Sequence, residues 1–548
     1  MKNSLSILLV LISFFTYSQT CNKYFVTYTG DDGSDDMRGI CVDQDKNTYC
    51  IHQTNSASLT TTPAAISTTF NGFYDAYINK FDSCGNLVWA TYLGTTNFES
   101  GEKICMSPDG NIVFTGYSNG NGLPTLAAYQ ATNNGNYDCF VGKINPNGNL
   151  IWLTYFGKSG SEFAYDIKTD ATGNIFIGGT TTSTNLATSG AFQTTHGGAT
   201  DAYIAKFNSN GSLVWCTYYG GSSSEDIHAL TIDNSSNIIG VGESHSFNLS
   251  TSAGCLQSTK NNLADIYILK LDNTGNRIFS TYFGGNAIDD CNGLTTDNTD
   301  NIYIGGQTQS TDFTVTAGAT QTTNAGSTDM IIAKLTPTGS LMYCSYYGGA
   351  SNDIITRAQN YNNQIYFLGS SSSPTMPVVA AGSNSVLTNQ QNHFLITSNY
   401  NCNIQLAKYF GGNINGADIS SDLAISKNTI SISGKSTSTM YPVTSGAYQT
   451  TQKGNEDGVL AKLAYTNTLS TVSLEKNKIN TFNVYPNPTN DFIFIESNAV
   501  DVEYSLIDVT GKTILTSSQN YIDLKNLQNG IYFLKNNTTY KKIIKTSN

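Results

Sequence analysis

The stretch Asp201–Gly221, DAYIAKFNSNGSLVWCTYYGG, is two apolar runs joined by Asn208-Ser209-Asn210-Gly211, a spelling that predicts a β-hairpin. Its opening aspartate recurs at Asp75, Asp138, Asp265, Asp329 and Asp457, with Asn392 in a degraded copy. The steps along the series are 63, 63, 64, 64, 63 and 65 residues. So constant a period means one structural unit copied seven times, and it sets the architecture before any local propensity does.

The third copy can be laid out in full. Strand one runs over Phe163–Thr169, a tight turn occupies Asp170–Asn174, and strand two covers Ile175–Thr180. A long loop, Thr181–Thr200, carries GAFQTT at Gly190–Thr195 and leads into the hairpin. Four short antiparallel strands per repeat is the content of one propeller blade. In the fourth strands Phe25, Trp89, Trp152, Trp215, Phe279 and Tyr343 stand three residues before Tyr28, Tyr92, Tyr155, Tyr218, Tyr282 and Tyr346. Residues three apart on a strand point to opposite faces, so each blade offers aromatics to both neighbours. All three tryptophans are therefore expected in the core. The expected fold is all-β, a seven-bladed propeller over residues 19–465. It closes when the N-terminal strand Lys23–Thr29 pairs with Asp457–Leu463, which removes free sheet edges.

Composition agrees with this class. Only 12% of residues are charged, and 50 are glycine. A net charge of -12 excludes nucleic acid or an anionic membrane as the main partner, because both need basic patches. Residues 1–18 have a basic start, a short apolar core and a small residue at the end, and read as a secretory signal peptide cut before Gln19. Ser18-Gln19-Thr20 lacks the small-residue pattern of a lipobox ahead of Cys21, and no other apolar run is long enough to span a membrane. Most of the 11 cysteines read as small buried apolar residues. Cys41 and Cys50 are the exception. A hairpin turning around Asp45-Lys46 would set them directly opposite one another, within reach of a disulfide.

The motifs DAYIAKF, NSNG, TYYGG and GAFQTT, recurring in fixed order over residues 23–465, resemble the SBBP family of secreted β-propeller repeats. The copy at residues 353–410 departs most, with Asn392–Thr397 in place of the Asp…Lys strand. Residues 466–481 are polar and without period, and read as a linker. From residue 482 the pattern changes to alternating strands and turns. Val484-Tyr485-Pro486-Asn487-Pro488, Gly511-Lys512 within DVTGK, Gly530 and Tyr532 within LQNGIY, and Lys541, Lys542 and Lys545 within KKIIK are similar to the C-terminal sorting domain of type IX secretion. That resemblance implies a small β-sandwich over 482–548, partnership with the type IX translocon and its sortase-like processing, and a secreted or outer-surface destination. The chain is read as a monomer.

Chemistry is harder to find. The histidines His52, His196, His228, His245 and His393 show no paired metal spacing and read as surface or core residues. Gly116–Gly120 matches GxSxG, yet a strand there runs into a loop rather than a helix. No catalytic residue is assigned. One constellation stands out: seven residues after successive strand-four tyrosines come Asp35, Glu99, Glu162, Glu225 and Asp289, while Asn352 and Gly416 are read into that place in the last two blades. These acids either cap the tight connection into strand one or form a ring able to hold calcium through hard oxygens. Strand direction puts them on the same face as the long loops, where binding residues concentrate. The expectation is a surface binding protein, an adhesin or glycan binder using this face near the channel. An extracellular hydrolase or lyase and an inert scaffold are the alternatives.

Overall fold

The computed structural model describes residues 24–464 apart from 64, 380–386, 388–389, 413–415 and 428, and residues 482–546 apart from 490, 498–503, 518–520 and 536–539. The signal peptide, the linker and Cys21 lie outside them. The chain divides into two compact units, Met1–Val472 and Ser473–Asn548.

Among the described residues, the first unit holds seven four-stranded antiparallel sheets. Their innermost strands are Asp35–Val42, Glu99–Met106, Glu162–Thr169, Ala229–Ile232, Asp289–Thr296, Asp353–Tyr361 and Asp418–Ser426, in blades one to seven. Each packs on the next, and the seventh packs on the first, closing a ring. Phe25–Tyr28 pairs with Asp457–Ala464 as the fourth strand of blade seven, so the first and last strands of the ring share a sheet.

The recurring residues turn out to be one repeated set of staples. The strand-four tyrosine is buried, and its hydroxyl fastens the start of the long loop: Tyr218 donates to the Ser183 carbonyl at 2.6 Å and accepts from the Leu186 N–H at 2.7 Å. The same pair of bonds recurs at Tyr92, Tyr155, Tyr282 and Tyr346. The loop glutamine and the strand-three aspartate, eight residues apart, are also one device. Gln257 donates to Asp265 at 2.6 Å and accepts from the Gly284 N–H at 2.9 Å, tying loop, strand three and the glycine after strand four together. The tryptophans are buried, as expected. Each lies under the turn glycine of the next blade, Gly211 on Trp152 for example, where a positive φ of 82° and a Cβ only 2.9 Å from the indole leave room for glycine alone.

Tyr218→Phe should therefore lower the stability of the propeller by about 1–3 kcal/mol, because two buried backbone groups lose their partner. Tyr129→Phe, at a half-exposed tyrosine, should not. Urea midpoints read the difference, and a loss under about 0.5 kcal/mol at Tyr218 would contradict the staple.

The expected Cys41–Cys50 disulfide is absent: both thiols are free and buried. The turn closes over Asp43–Asn47, with Asp43 N–H bonded to the Asn47 carbonyl, so it is centred on Asp45 rather than between 45 and 46. Register moves by one residue, Cys41 pairs with Tyr49 and Cys50 with Ile40, and the two sulfurs enter different core clusters. Cys84 is disulfide-bonded.

The second unit is a sandwich of a three-stranded and a four-stranded sheet around Ile493, Leu506, Ile522, Leu534 and Ile543. Asn487 holds the motif segment to the last strand, donating to the Lys542 carbonyl at 2.6 Å and accepting from the Ile544 N–H at 2.9 Å. Gly511 takes φ 87° in the turn that Asp508 caps. The Tyr532 hydroxyl donates to the Gln528 carbonyl.

Candidate functional site: the mouth of the channel

The five acids expected to ring the binding face do not face a ligand. Asp35, Glu99, Glu162, Glu225 and Asp289 are at most 1% exposed. Each closes a local knot. Asp289 accepts from the Gly285 N–H at 2.7 Å, from Ser310 at 3.0 Å and from Thr308. Glu225 accepts from the Gly221 N–H, Ser244 and Ser246, and Glu99 from Thr95 and Ser118. Glu162 and Asp35 repeat the pattern. Burial outweighs these bonds and pushes Asp35 up to about 6 and Asp289 up to about 7. The place is filled in the last two blades by Asp353 and Asp418, not Asn352 and Gly416. Asp353 stands at the same spacing from Tyr346, and Asp418 follows an insertion of two residues. A carboxylate repeated in seven blades and spent on its own loop is a structural part. Among the described residues, no group of three or more His, Cys, Asp and Glu side chains is arranged to hold a metal ion. Ser118 of the GxSxG match is bonded to Glu99 at 2.6 Å and is likewise structural.

What distinguishes one blade from another lies next along the inner strand. In six blades that strand carries a bulge, at Met37/Gly39, Gly101/Lys103, Ala164/Asp166, Cys291/Gly293, Ile355/Arg357 and Ser420/Asp422. Bulges re-aim side chains, and the residues that stand in them are unlike: Arg38, Glu102, Tyr165, Asn292, Thr356 and Ser421, with His228 at the matching place in blade four.

On the long-loop side this produces an asymmetric mouth. Blades one to three contribute half-buried aromatic rings in one contiguous arc. Tyr74 lies 5.2 Å from Phe98, which stacks on Tyr117 at 6.1 Å and 10°. Tyr117 meets Phe163 edge-on at 4.8 Å, Tyr137 meets it at 5.3 Å, and Phe163 stacks on Tyr165 at 6.5 Å and 4°. The arc ends where Tyr165 meets His228 at 6.0 Å. Blades four and five supply carboxylates. His228 Nδ1 is 2.9 Å from Asp290 and Nε2 3.3 Å from Asp226. Burial alone would lower this histidine, but the two carboxylates outweigh it and hold His228 well above its ordinary value, as an imidazolium. Burial, then Asp290 and Asp226, push Glu243 up, while His228 outweighs burial to hold Asp290 down. Beside the first blade, Arg38 bridges Glu102, Asp36 and Gln53.

Below the mouth an ionic bridge crosses the channel. Arg357 of blade six forks onto Asp166 of blade three at 3.0 and 3.1 Å and reaches Asp422 of blade seven at 2.9 Å. Lys168 lies 2.8 Å from Asp166, and Lys103 3.6 Å from Asp422. Backbone N–H groups of Ile167, Leu230, Ile40 and Leu423 complete both carboxylates. Burial would raise Asp166, yet Arg357 and Lys168 hold it well below the usual carboxylate range.

Comparison with known proteins gives two family matches: residues 483–546 match the secretion system C-terminal sorting domain, and residues 278–314 match the SBBP β-propeller repeat. Regulatory protein FlaEY of Caulobacter vibrioides is 23% identical over 323 residues, 54% of this chain and 33% of that protein. An uncharacterized WD repeat-containing protein, L264, of Acanthamoeba polyphaga mimivirus is 25% identical over 289 residues, 42% of this chain and 21% of that one. The chain thus spans a third or less of the curated relatives it matches. Among solved structures, PorZ, a surface component of the type-IX secretion system of Porphyromonas gingivalis, aligns at 11% identity and TM-score 0.38, covering 94% of this chain and 59% of that one. Polysaccharide lyase Uly1 aligns at 8% and 0.40, covering 80% and 90%, and the WD40 β-propeller domain of Doa1 at 8% and 0.39, covering 82% and 99%. The chain thus pairs an all-β propeller, with an SBBP β-propeller repeat matched at residues 278–314, with a matched secretion system C-terminal sorting domain at residues 483–546, which indicates type IX secretion to the cell surface or extracellular space.

Proposed function

We propose that the protein binds an extended polysaccharide across the long-loop mouth of its channel and acts as a surface adhesin or glycan-binding module. The aromatic arc carries this reading. Six half-buried rings in one connected path supply flat apolar surface that fits the C–H faces of successive sugar rings. Carboxylates, Arg38 and Asn292 at the end and rim of that path are of the type that fixes sugar hydroxyls by hydrogen bonds. The repeat does not require these residues, since other blades carry Ile354, Thr356, Ile419 and Ser421 at the same places.

The purified protein is screened for retention on immobilised polysaccharides. Tyr117→Ala and Phe163→Ala should each weaken retention at least about tenfold, in line with the loss of a ring at the centre of an interface. Asn210→Ala, on the opposite short turns, should leave it unchanged. Retention insensitive to both ring deletions, in variants with unaltered circular dichroism, would overturn the reading.

One observation favours cleavage as a second reading: Glu243 is pushed up while neighbouring Asp290 is held down, a separation that suits acid–base pairs. Against it, both nitrogens of His228 already face carboxylates. New chain ends released from retained polysaccharide, and lost in Glu243→Gln with retention kept, would assign cleavage instead.

A further inference from the structure

On the short-turn side of the ionic bridge the channel widens into a cavity of about 260 Å³. Its walls combine apolar side chains, among them Ile40, Ile104, Met106 and Leu294, with the polar Thr231, Thr295 and Gln359. Its closed end is the bridge itself, where Lys168, Arg357 and Asp422 face inward. The bridge does not balance. Arg357, Lys168 and Lys103 supply three positive charges, and Asp166 and Asp422 two negative ones, an excess of one. Asp166 is 0% and Asp422 3% exposed, whereas Lys168 keeps 25% of its side chain accessible. Of the three cations Lys168 is the most accessible to a guest, ahead of Lys103 at 14% and Arg357 at 13%.

We infer that this cavity is a second binding site, independent of the polysaccharide mouth, for a small amphipathic monoanion: a carboxylate on an aliphatic or aryl body of about six to eight carbons. The carboxylate would neutralise the bridge at Lys168, and the body would lie against the apolar side chains of the walls. Size fits this class. At about 30 Å³ per water the cavity holds roughly eight or nine waters, the space of a short-chain acid and just under the lower end of drug-sized pockets. The repeat also makes room for it. At the bulge-following place where blades three, six and seven carry Asp166, Arg357 and Asp422, blades one, four and five carry Gly39, Ala229 and Gly293.

The test uses hexanoate, hexanol and hexylammonium as probes of one body with three charges, titrated calorimetrically into the full chain. Hexanoate should bind at least tenfold tighter than hexanol, and hexylammonium should give no heat. Lys168→Gln should abolish the preference for hexanoate over hexanol, and Lys168→Arg should restore it. Thr231→Phe, which fills the cavity from blade four, should remove binding of both probes. Equal affinity for hexanoate and hexanol, absence of hexanoate binding, or binding that survives Thr231→Phe in folded protein would each overturn the inference. Polysaccharide retention should be unchanged in all three variants, which separates this site from the mouth.

Discussion

Deletion of Val484–Asn548 should leave the protein in the periplasm, with none at the cell surface or in the medium. The expectation rests on two structural facts. The sorting unit is compact by itself, with its own core around Ile493, Leu506, Leu534 and Ile543. The motif residues at its surface, Pro486, Asn487, Pro488, Gly511, Lys512 and Lys542, are exposed and available to the export machinery. Immunoblots of fractionated cells report location, and circular dichroism with urea unfolding of the truncated protein reports folding. The propeller should show unchanged stability within about 0.5 kcal/mol, because each unit has a core of its own. Truncated protein outside the cell would show that export does not depend on this unit.

The fold was legible because its signals repeat. A tyrosine, a glutamine–aspartate pair and a turn glycine that recur every 63 to 65 residues are visible in one chain without relatives. The tyrosine staple is made in every blade, and the glutamine–aspartate bond in five of the seven, blades two to five and blade seven. The site was misplaced for the same reason. Asp35, Glu99, Glu162, Glu225 and Asp289 stood out by recurring, but recurrence marks what every blade needs for itself. The residues at the bulge place differ from blade to blade: Arg38, Glu102, Tyr165, His228, Asn292 and Thr356 share no residue type. A bulge also moves them off the strict alternation by which strand faces are read. Asp166 and Arg357 are 191 residues apart, a pairing that only ring closure creates. Two signals were nonetheless present. Asp166, Arg357 and Asp422 put charge at one place of the inner strands in an otherwise weakly charged repeat, and Phe163 and Tyr165 put aromatics at two places where no other blade has one. The Cys41–Cys50 error has a local cause, a turn one residue longer than its spelling suggested.

Arg357→Met should be the most destabilising single change in the propeller, lowering its stability by about 3–5 kcal/mol at neutral pH. Methionine nearly matches the volume, so packing is spared. Asp166 and Asp422 are left buried with their main counter-charge removed. Partial repair by Asp166→Asn in the double variant would confirm that the loss comes from the uncompensated carboxylate and not from a cavity. The sign of the pH dependence follows from linkage. In the wild type Asp166 is held below its ordinary value, so it contributes stability above that ordinary value and loses it as pH falls through the depressed one. In Arg357→Met burial becomes the dominant influence and raises Asp166. The penalty is then greatest at neutral pH and is relieved as the carboxyl takes up a proton on acidification. The gap in urea midpoint between wild type and variant should therefore narrow steadily between about pH 7 and 5, while the mouth-facing Tyr117→Ala gap stays constant. A gap that widens with acid, or a variant as stable as wild type at neutral pH, would show that the bridge across the channel does not hold the ring together.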